Sequence, residues 1–264
     1  LFTALLTSGW FIRTAAQTTE GTDFWVTFMQ ADQDPNNELV LQLSISSRKA
    51  CEVTIANPYT SYEEKVSVKA GATQLVNLYT GNVLAYNART AMAETGKVCY
   101  AVNSEQVDTC ALHVTASENI SLFATNYKKA TFDATNVLPT TSLLDEYIIQ
   151  TFTPSDHGGS GSTQGSHFAV IAAEDDVVVD YCCTVKPKSI KDSNNTQWNV
   201  GDTLTSPALK KGQVFYVWTG KTDGAEGDLS GTYVKARDGK KIAVFQGCPH
   251  TNIPYQIKQR DHIF

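Results

Sequence analysis

Residues 113–123, His113-Val114-Thr115-Ala116-Ser117-Glu118-Asn119-Ile120-Ser121-Leu122-Phe123, carry the reading that decides the fold. Two β-branched runs flank a polar, charged cluster, the pattern of a strand, a turn and a strand. The same arrangement returns at Tyr233-Val234-Lys235-Ala236-Arg237-Asp238-Gly239-Lys240-Lys241-Ile242-Ala243-Val244-Phe245, again closing on a phenylalanine. Outward from this pair, three more landmarks occur twice in the same order. Phe24-Trp25-Val26-Thr27 is answered by His167-Phe168-Ala169-Val170, and Cys51-Glu52-Val53-Thr54-Ile55 by Asp176-Val177-Val178-Val179. Lys69-Ala70-Gly71-Ala72-Thr73-Gln74-Leu75-Val76 is answered by Lys210-Lys211-Gly212-Gln213-Val214-Phe215. Generic alternation imitates one such match; four in order point to an internal repeat.

Between the landmarks the chain is a succession of short β-branched and aromatic runs, among them LVLQLSI, KVSVKA, EYIIQTF and QVFYVW, separated by Gly, Asn, Asp and Pro. The only helix-like window is 86–94 (YNARTAMAE). These features predict an all-β chain, a tandem of two similar antiparallel β-sandwich halves over 17–145 and 146–264 that superpose strand for strand, with Phe123 and Phe245 in equivalent core positions. The Gly/Ser-rich stretch 154–166 (PSDHGGSGSTQGS) reads as the linker near their join.

The 264 residues are 42% hydrophobic and 18% charged, with a formal net charge of −6, which fits a folded chain and excludes a disordered one. Basic residues cluster only as doublets such as Lys210-Lys211 and Lys240-Lys241, too few for a nucleic-acid surface. Residues 1–12 (LFTALLTSGWFI) followed by Arg13-Thr14-Ala15-Ala16 resemble a signal-peptide remnant, 1–16, cleaved after Ala16. The run is too short to span a bilayer, which takes about 20 apolar residues. The expected location is therefore secreted or cell surface.

Six cysteines suit an oxidising compartment. Cys99 and Cys110, at the two ends of a short excursion between strand-like runs, are the disulfide candidates. Cys51, Cys182, Cys183 and Cys248 are left without a pairing, and burial as small apolar thiols suits them equally well.

Catalytic motifs are missing from the sequence. Gly220-Lys221-Thr222 ends like a phosphate loop, but Phe215 stands where its first glycine must be. Gly158-Gly159-Ser160-Gly161-Ser162 lacks the spacing of a nucleophile elbow. The five histidines, His113, His157, His167, His250 and His262, have no metal-ligand spacing. A distant convergence of His167, Asp228 and Ser230 is the one nucleophilic site worth checking, against the plainer expectation that His167 packs and Asp228 caps a turn. Asp223, Glu226 and Asp228 in a Gly-rich turn form a weak calcium candidate beside the plainer reading of a charged hairpin. Of the two sequons, at Asn119 and Asn194, the second sits in the more loop-like context. No cofactor is expected.

Four stretches, GTDFWVTFM (21–29), LFATNYKKATFDATNVLPTTSLLDEYIIQTFTPS (122–155), SHFAVIAAEDDVVVD (166–180) and GDLSGTYVKARDGKKIAVFQGCPHTNIP (227–254), resemble the N-terminal domain family of IgG Fc-binding proteins. The resemblance covers nearly all of the chain after residue 16. It implies a non-enzymatic binding or adhesion module, with a host or matrix glycoprotein as ligand. Immunoglobulin is a partner by family label only. A carbohydrate-binding unit of a larger protein and a structural spacer are the rival readings. An exposed aromatic platform would favour the carbohydrate reading, with Trp198 and Trp218 as the nearby candidates. The cysteine spacing carries its own test: alkylation and mass mapping of exported protein should find Cys99 and Cys110 blocked until reduction, and two freely alkylated thiols would end the pairing.

Overall fold

The computed structural model describes residues 18–31, 38–82, 84–128, 131–155, 165–185, 199–220, 224–252 and 260–264. The expected leader at 1–16 and residues 156–164 of the expected linker lie outside them. The fold is all-β, with antiparallel ladders throughout. The first half holds β1 (Glu20–Val26), β2 (Glu38–Ser47), β3 (Cys51–Ala56), β4 (Glu63–Val68), β5 (Thr73–Asn82), α1 (Ala85–Thr95), β6 (Val107–Asp108), β7 (Leu112–Lys128) and β8 (Thr131–Val137). The second holds β9 (Glu146–Ile148), β10 (His167–Ala172), β11 (Val179–Cys182), β12 (Leu204–Thr205), β13 (Val214–Trp218), β14 (Tyr233–Ala236), β15 (Ile242–Asn252) and β16 (Arg260–Ile263).

Local sequence explains these elements. In β2, Leu39, Leu41, Leu43 and Ile45 are all buried while the residues between them are only partly covered, the period-two pattern of a sheet with one wet face. The helix falls where the single helical window was read. It stops at Gly96, whose left-handed backbone (φ 71°) lets its N–H reach the Ala93 carbonyl.

The segment at 113–123 is not the expected hairpin. It belongs to β7, one strand of 17 residues. The polar cluster makes a bend instead of a turn: the register with β1 jumps from Asp23↔Thr115 to Gly21↔Ile120. Before the bend β7 pairs with β3, and after it with β2 and β8. In the second half the corresponding stretch is broken. The 3-10 turn Arg237–Gly239, with Asp238 and Gly239 at φ 60° and 66°, separates β14 from β15, and these lie in different sheets.

Around β7 the neighbour orders are β4-β3-β7-β1 and β5-β2-β7-β8. The second half has β12-β11-β14-β9 and β13-β10-β15-β16. In this order β10 holds the place of β2, and β9 that of β1. The expected match of the Phe24 and His167 strands is therefore displaced by one strand. Equivalent turns carry the same hydrogen bonds: Gly71 donates to the Ser47 carbonyl at the end of β2, and Gly212 to the Ala172 carbonyl at the end of β10, each at 2.8 Å. Phe123 and Phe245, expected in equivalent core positions, differ: Phe123 is 42% exposed and Phe245 is 7% exposed.

The reason for that difference is where the halves meet. Phe168, Val170 and Ala172 of β10 join a core with Val179, Tyr181, Val234 and Ala236, between the two sheets of the second half. Ala169 and Ile171, on the other face of β10, join the larger core together with Tyr216, Phe245, Trp25 and Phe28. All six residues of β10 are thus buried. The strand β6 from the first half also pairs with the edge of β13. It is the one named ladder that crosses between the halves among the described residues.

Gly212 lies at this junction with φ 81°, and a Cβ there would come 2.7 Å from Cζ3 of Trp25. Gly71, at φ 72°, has open space around it. Gly71→Ala should therefore cost only the left-handed backbone penalty, about 1–2 kcal/mol. Gly212→Ala should add an overpacking cost of about 1–3 kcal/mol, so chemical denaturation should rank it clearly below Gly71→Ala.

Candidate functional site

The residues nominated from sequence are placed by structural hydrogen bonds. Asp228 accepts from the Thr151 hydroxyl (2.8 Å), the Thr153 hydroxyl (3.0 Å), and both the N–H (3.0 Å) and hydroxyl (2.7 Å) of Ser230. Its carboxylate is thereby filled, and His167 is not among its partners. His167 is buried, with Nδ1 2.9 Å from the Tyr216 hydroxyl. The structure does not assemble the His167–Asp228–Ser230 site. Glu226 is exposed, and Asp223 lies outside the described residues. No group of three or more His, Cys, Asp or Glu side chains that could hold a metal occurs among the described residues.

Cys99 and Cys110 are both buried, and the Thr27 hydroxyl lies 3.3 Å from the Cys99 carbonyl and 2.7 Å from the Cys110 carbonyl. The structure carries all six cysteines as thiols. Burial pushes the Cys110 thiol up to about 12 and moves Cys99 the same way, so neither is a ready nucleophile. Arg89, paired with Asp108 and bonded to the Tyr100 carbonyl at 2.7 Å, closes this region under α1.

Four exposed apolar side chains share the outer face of the β5-β2-β7-β8 sheet, while others such as Tyr86, Leu144, Ile148 and Phe152 lie outside it. Cross-strand pairing sets Leu75 beside Ser44, Ser44 beside Phe123 and Phe123 beside Asn136. Two rows further on, past Thr125 and Ala134, the rings of Tyr127 and Phe132 meet edge-on at 6.3 Å. Leu75 is 55% exposed and Phe132 59%. In the second half the same face, with Ala169, Tyr216 and Phe245, is buried against the first. The expected tryptophans do not build a platform. Trp198 lies outside the described residues, and Trp218 is half-buried, its indole N–H held by the Gly165 carbonyl at 3.1 Å. Sequence reasoning missed the Phe123, Tyr127 and Phe132 face because it placed Phe123 in the core and gave residues 131–137 no strand.

At the Asn136 end, this face runs into a cavity of about 260 Å³ where β1, β8, β9 and β15 come together. Its lining includes Trp25, Asn136, Leu138, Leu143, Phe245 and Phe264.

Residues 133–264, half of the chain, match the family model described as IgGFc binding protein. The chain belongs to that family. No curated protein and no solved structure matches it. The matched part of this IgGFc-binding family member begins within β8 and includes every strand from β9 to β16. It is narrower than the resemblance read from sequence, which extended back to residue 21. The cavity draws on both the matched segment and Trp25, while Phe123, Tyr127 and Phe132 precede the match. No helix among the described residues is long and apolar enough to cross a membrane.

Asp228 generates a pH prediction. Burial raises its pKa, but the bonds from Ser230, Thr151 and Thr153 outweigh that and leave it lowered. A carboxyl lowered in the folded state contributes stability above its unfolded pKa of about 3.9 and loses it as pH falls through the folded value. Stability should therefore fall on acidification below about pH 4. Asp228→Asn should be less stable at pH 7, by about 1–3 kcal/mol from donors left without a full acceptor, with a flatter profile between pH 4 and 2 in thermal melts.

Proposed function

We propose that this chain is a non-enzymatic binding or adhesion module, secreted or held at the cell surface, whose ligand is a host or matrix glycoprotein. The observation that carries the reading is the uncovered aromatic face of Phe123, Tyr127 and Phe132 with Leu75. Apolar patches of this kind on folded chains mark interaction sites. Flat aromatic rings among Ser44, Gln42 and Asn77 also suit the apolar faces and hydroxyls of sugars, which favours the glycan part of such a ligand. Family membership supports a protein-binding role, and immunoglobulin remains a partner to be tested through the family description alone.

The repeated neighbour order supports the further proposal that the chain is a tandem of two equivalent sandwiches, about 17–145 and 146–264. In that arrangement the first unit covers the second and leaves its own corresponding face open. A Cys99–Cys110 disulfide, made in an oxidising export compartment, would staple the excursion that carries β6 to the edge of β13.

The test is a glycan and glycoprotein array probed with the chain from Gln17 onward. Binding should appear on a subset of glycoproteins, and the double variant Phe123→Ser, Phe132→Ser should lose it at least tenfold while keeping its circular dichroism spectrum. Unchanged binding by that variant would remove the aromatic face from the reading, and an array with no signal would favour the spacer role.

A further inference from the structure

The strand ladders of the two halves coincide pair by pair. Between β1 and β7, Trp25 pairs with His113, Phe24 with Val114 and Asp23 with Thr115. Between β9 and β14, Ile148 pairs with Tyr233, Tyr147 with Val234 and Glu146 with Lys235. Further in, Val114 and Ala116 pair with Ile55 and Val53, as Val234 and Ala236 pair with Tyr181 and Val179. Even a diagonal contact is repeated: Asp23 lies 3.1 Å from Nε2 of His113, and Glu146 accepts from the Tyr233 hydroxyl at 2.8 Å. Ile148 therefore holds the position of Trp25. On the other sheet, the row Leu75, Ser44, Phe123 answers to the row Tyr216, Ala169, Phe245.

The counterparts differ in what covers them. Trp25 is buried where the outer face of its sheet meets the second half, its ring edge against Gly212 in the turn that leads into β13. The Tyr216, Ala169, Phe245 row is buried on the other side of that junction. Ile148 and Tyr233, on the corresponding outer face of the second half, are 70% and 40% exposed. The Leu75, Ser44, Phe123 row of the first half is also uncovered. One face of each kind is thus joined inside the molecule, and one face of each kind is left open on the two outermost sheets. Charge fits the same pairing. At the junction Asp23 shares a cleft with Ala173. Glu146 holds the place of Asp23, and Arg48, which follows Ser47 as Ala173 follows Ala172, holds the place of Ala173. A second junction built like the first brings a carboxylate to an exposed guanidinium.

We propose that copies of this chain associate head to tail, the Ile148 and Tyr233 face of one copy seating on the Leu75, Ser44, Phe123 row of the next. The two faces are different, so the contact is heterologous and each copy keeps one of each kind for a further neighbour. It is also weaker than the internal junction. Between β13 and β14 no helix or strand corresponds to α1 and β6 among the described residues, so only the sheet faces meet. A contact of that size is reversible. It goes beyond the ligand reading and competes with it, since copies joined this way cover the aromatic face of every copy but one.

The experiment is sedimentation velocity of the exported protein from about 10 μM to about 1 mM, the range in which a small interface dissociates. The sedimentation coefficient should rise with concentration and pass that of a dimer. Ile148→Lys and Leu75→Lys, both at exposed positions and each checked by circular dichroism, should weaken association about tenfold or more by placing a charge in the contact. Mixed in equal amounts, the two variants should form a heterodimer and nothing larger, because each keeps the face that the other has lost. A monomer throughout the range, growth unaffected by Ile148→Lys, or a mixture that behaves as either variant alone would overturn the assignment. So would a dimer lost in Leu75→Lys and kept in Ile148→Lys, which is the mark of a two-fold contact. Ile148→Lys leaves the aromatic face intact and should bind glycoprotein on the array at least as well as the unaltered chain, so the ligand reading and the self-association fail separately.

Discussion

The sheet of β10, β13 and β15 is buried on both faces, and the rest of the molecule is arranged around that constraint. A strand wet on one side alternates, whereas every residue of HFAVIA in β10 is buried, because one face closes the second half and the other packs with Trp25 and Phe28. Gly212 is the close approach that makes this possible, since any side chain there would occupy the space of the Trp25 ring. Fully burying one large aromatic is worth about 1.5–3 kcal/mol, so a junction built from Trp25, Phe28, Tyr216 and Phe245 outweighs the pull of solvent on either half alone.

Covering one sheet decides what is left for recognition. The first half contributes its β1 face and the excursion with α1 and β6 to the junction, and its opposite sheet stays open. Phe123, Tyr127 and Phe132 therefore face solvent while Phe245 does not. The charged and nucleophilic side chains have gone elsewhere. Asp228 is held by three hydroxyls and an amide, and Arg89 is paired under the helix. The binding surface proposed above is one of shape and apolar area.

Much of the fold was legible because alternation and turn glycines act locally. Leu39 to Ile45, the helix ending at Gly96, and the twin turns at Gly71 and Gly212 could each be read from their own neighbours. What failed was non-local. Whether Ser117, Glu118 and Asn119 turn the chain or merely bend it depends on the partners of β7, which are drawn from residues 20 to 137. Strand β8 was missed because Asp133 and Asn136 dilute its β character, and their tolerance comes from the edge position and the cavity beside it. The exposure of Phe123 depends on which sheet face is covered by the rest of the molecule, and nothing in the local sequence announces that.

The continuous strand β7 also sets an order of events for a chain made from its N-terminus. Strand β3 stays without its β7 partner until residue 116 exists and β2 until residues 120–128 do, so the first sheet closes through contacts far apart in sequence. The edge of β13 is in turn completed by Val107 and Asp108, which come earlier in the chain. A chain made from its N-terminus therefore carries the residues of β6 before it carries the strand whose edge they complete.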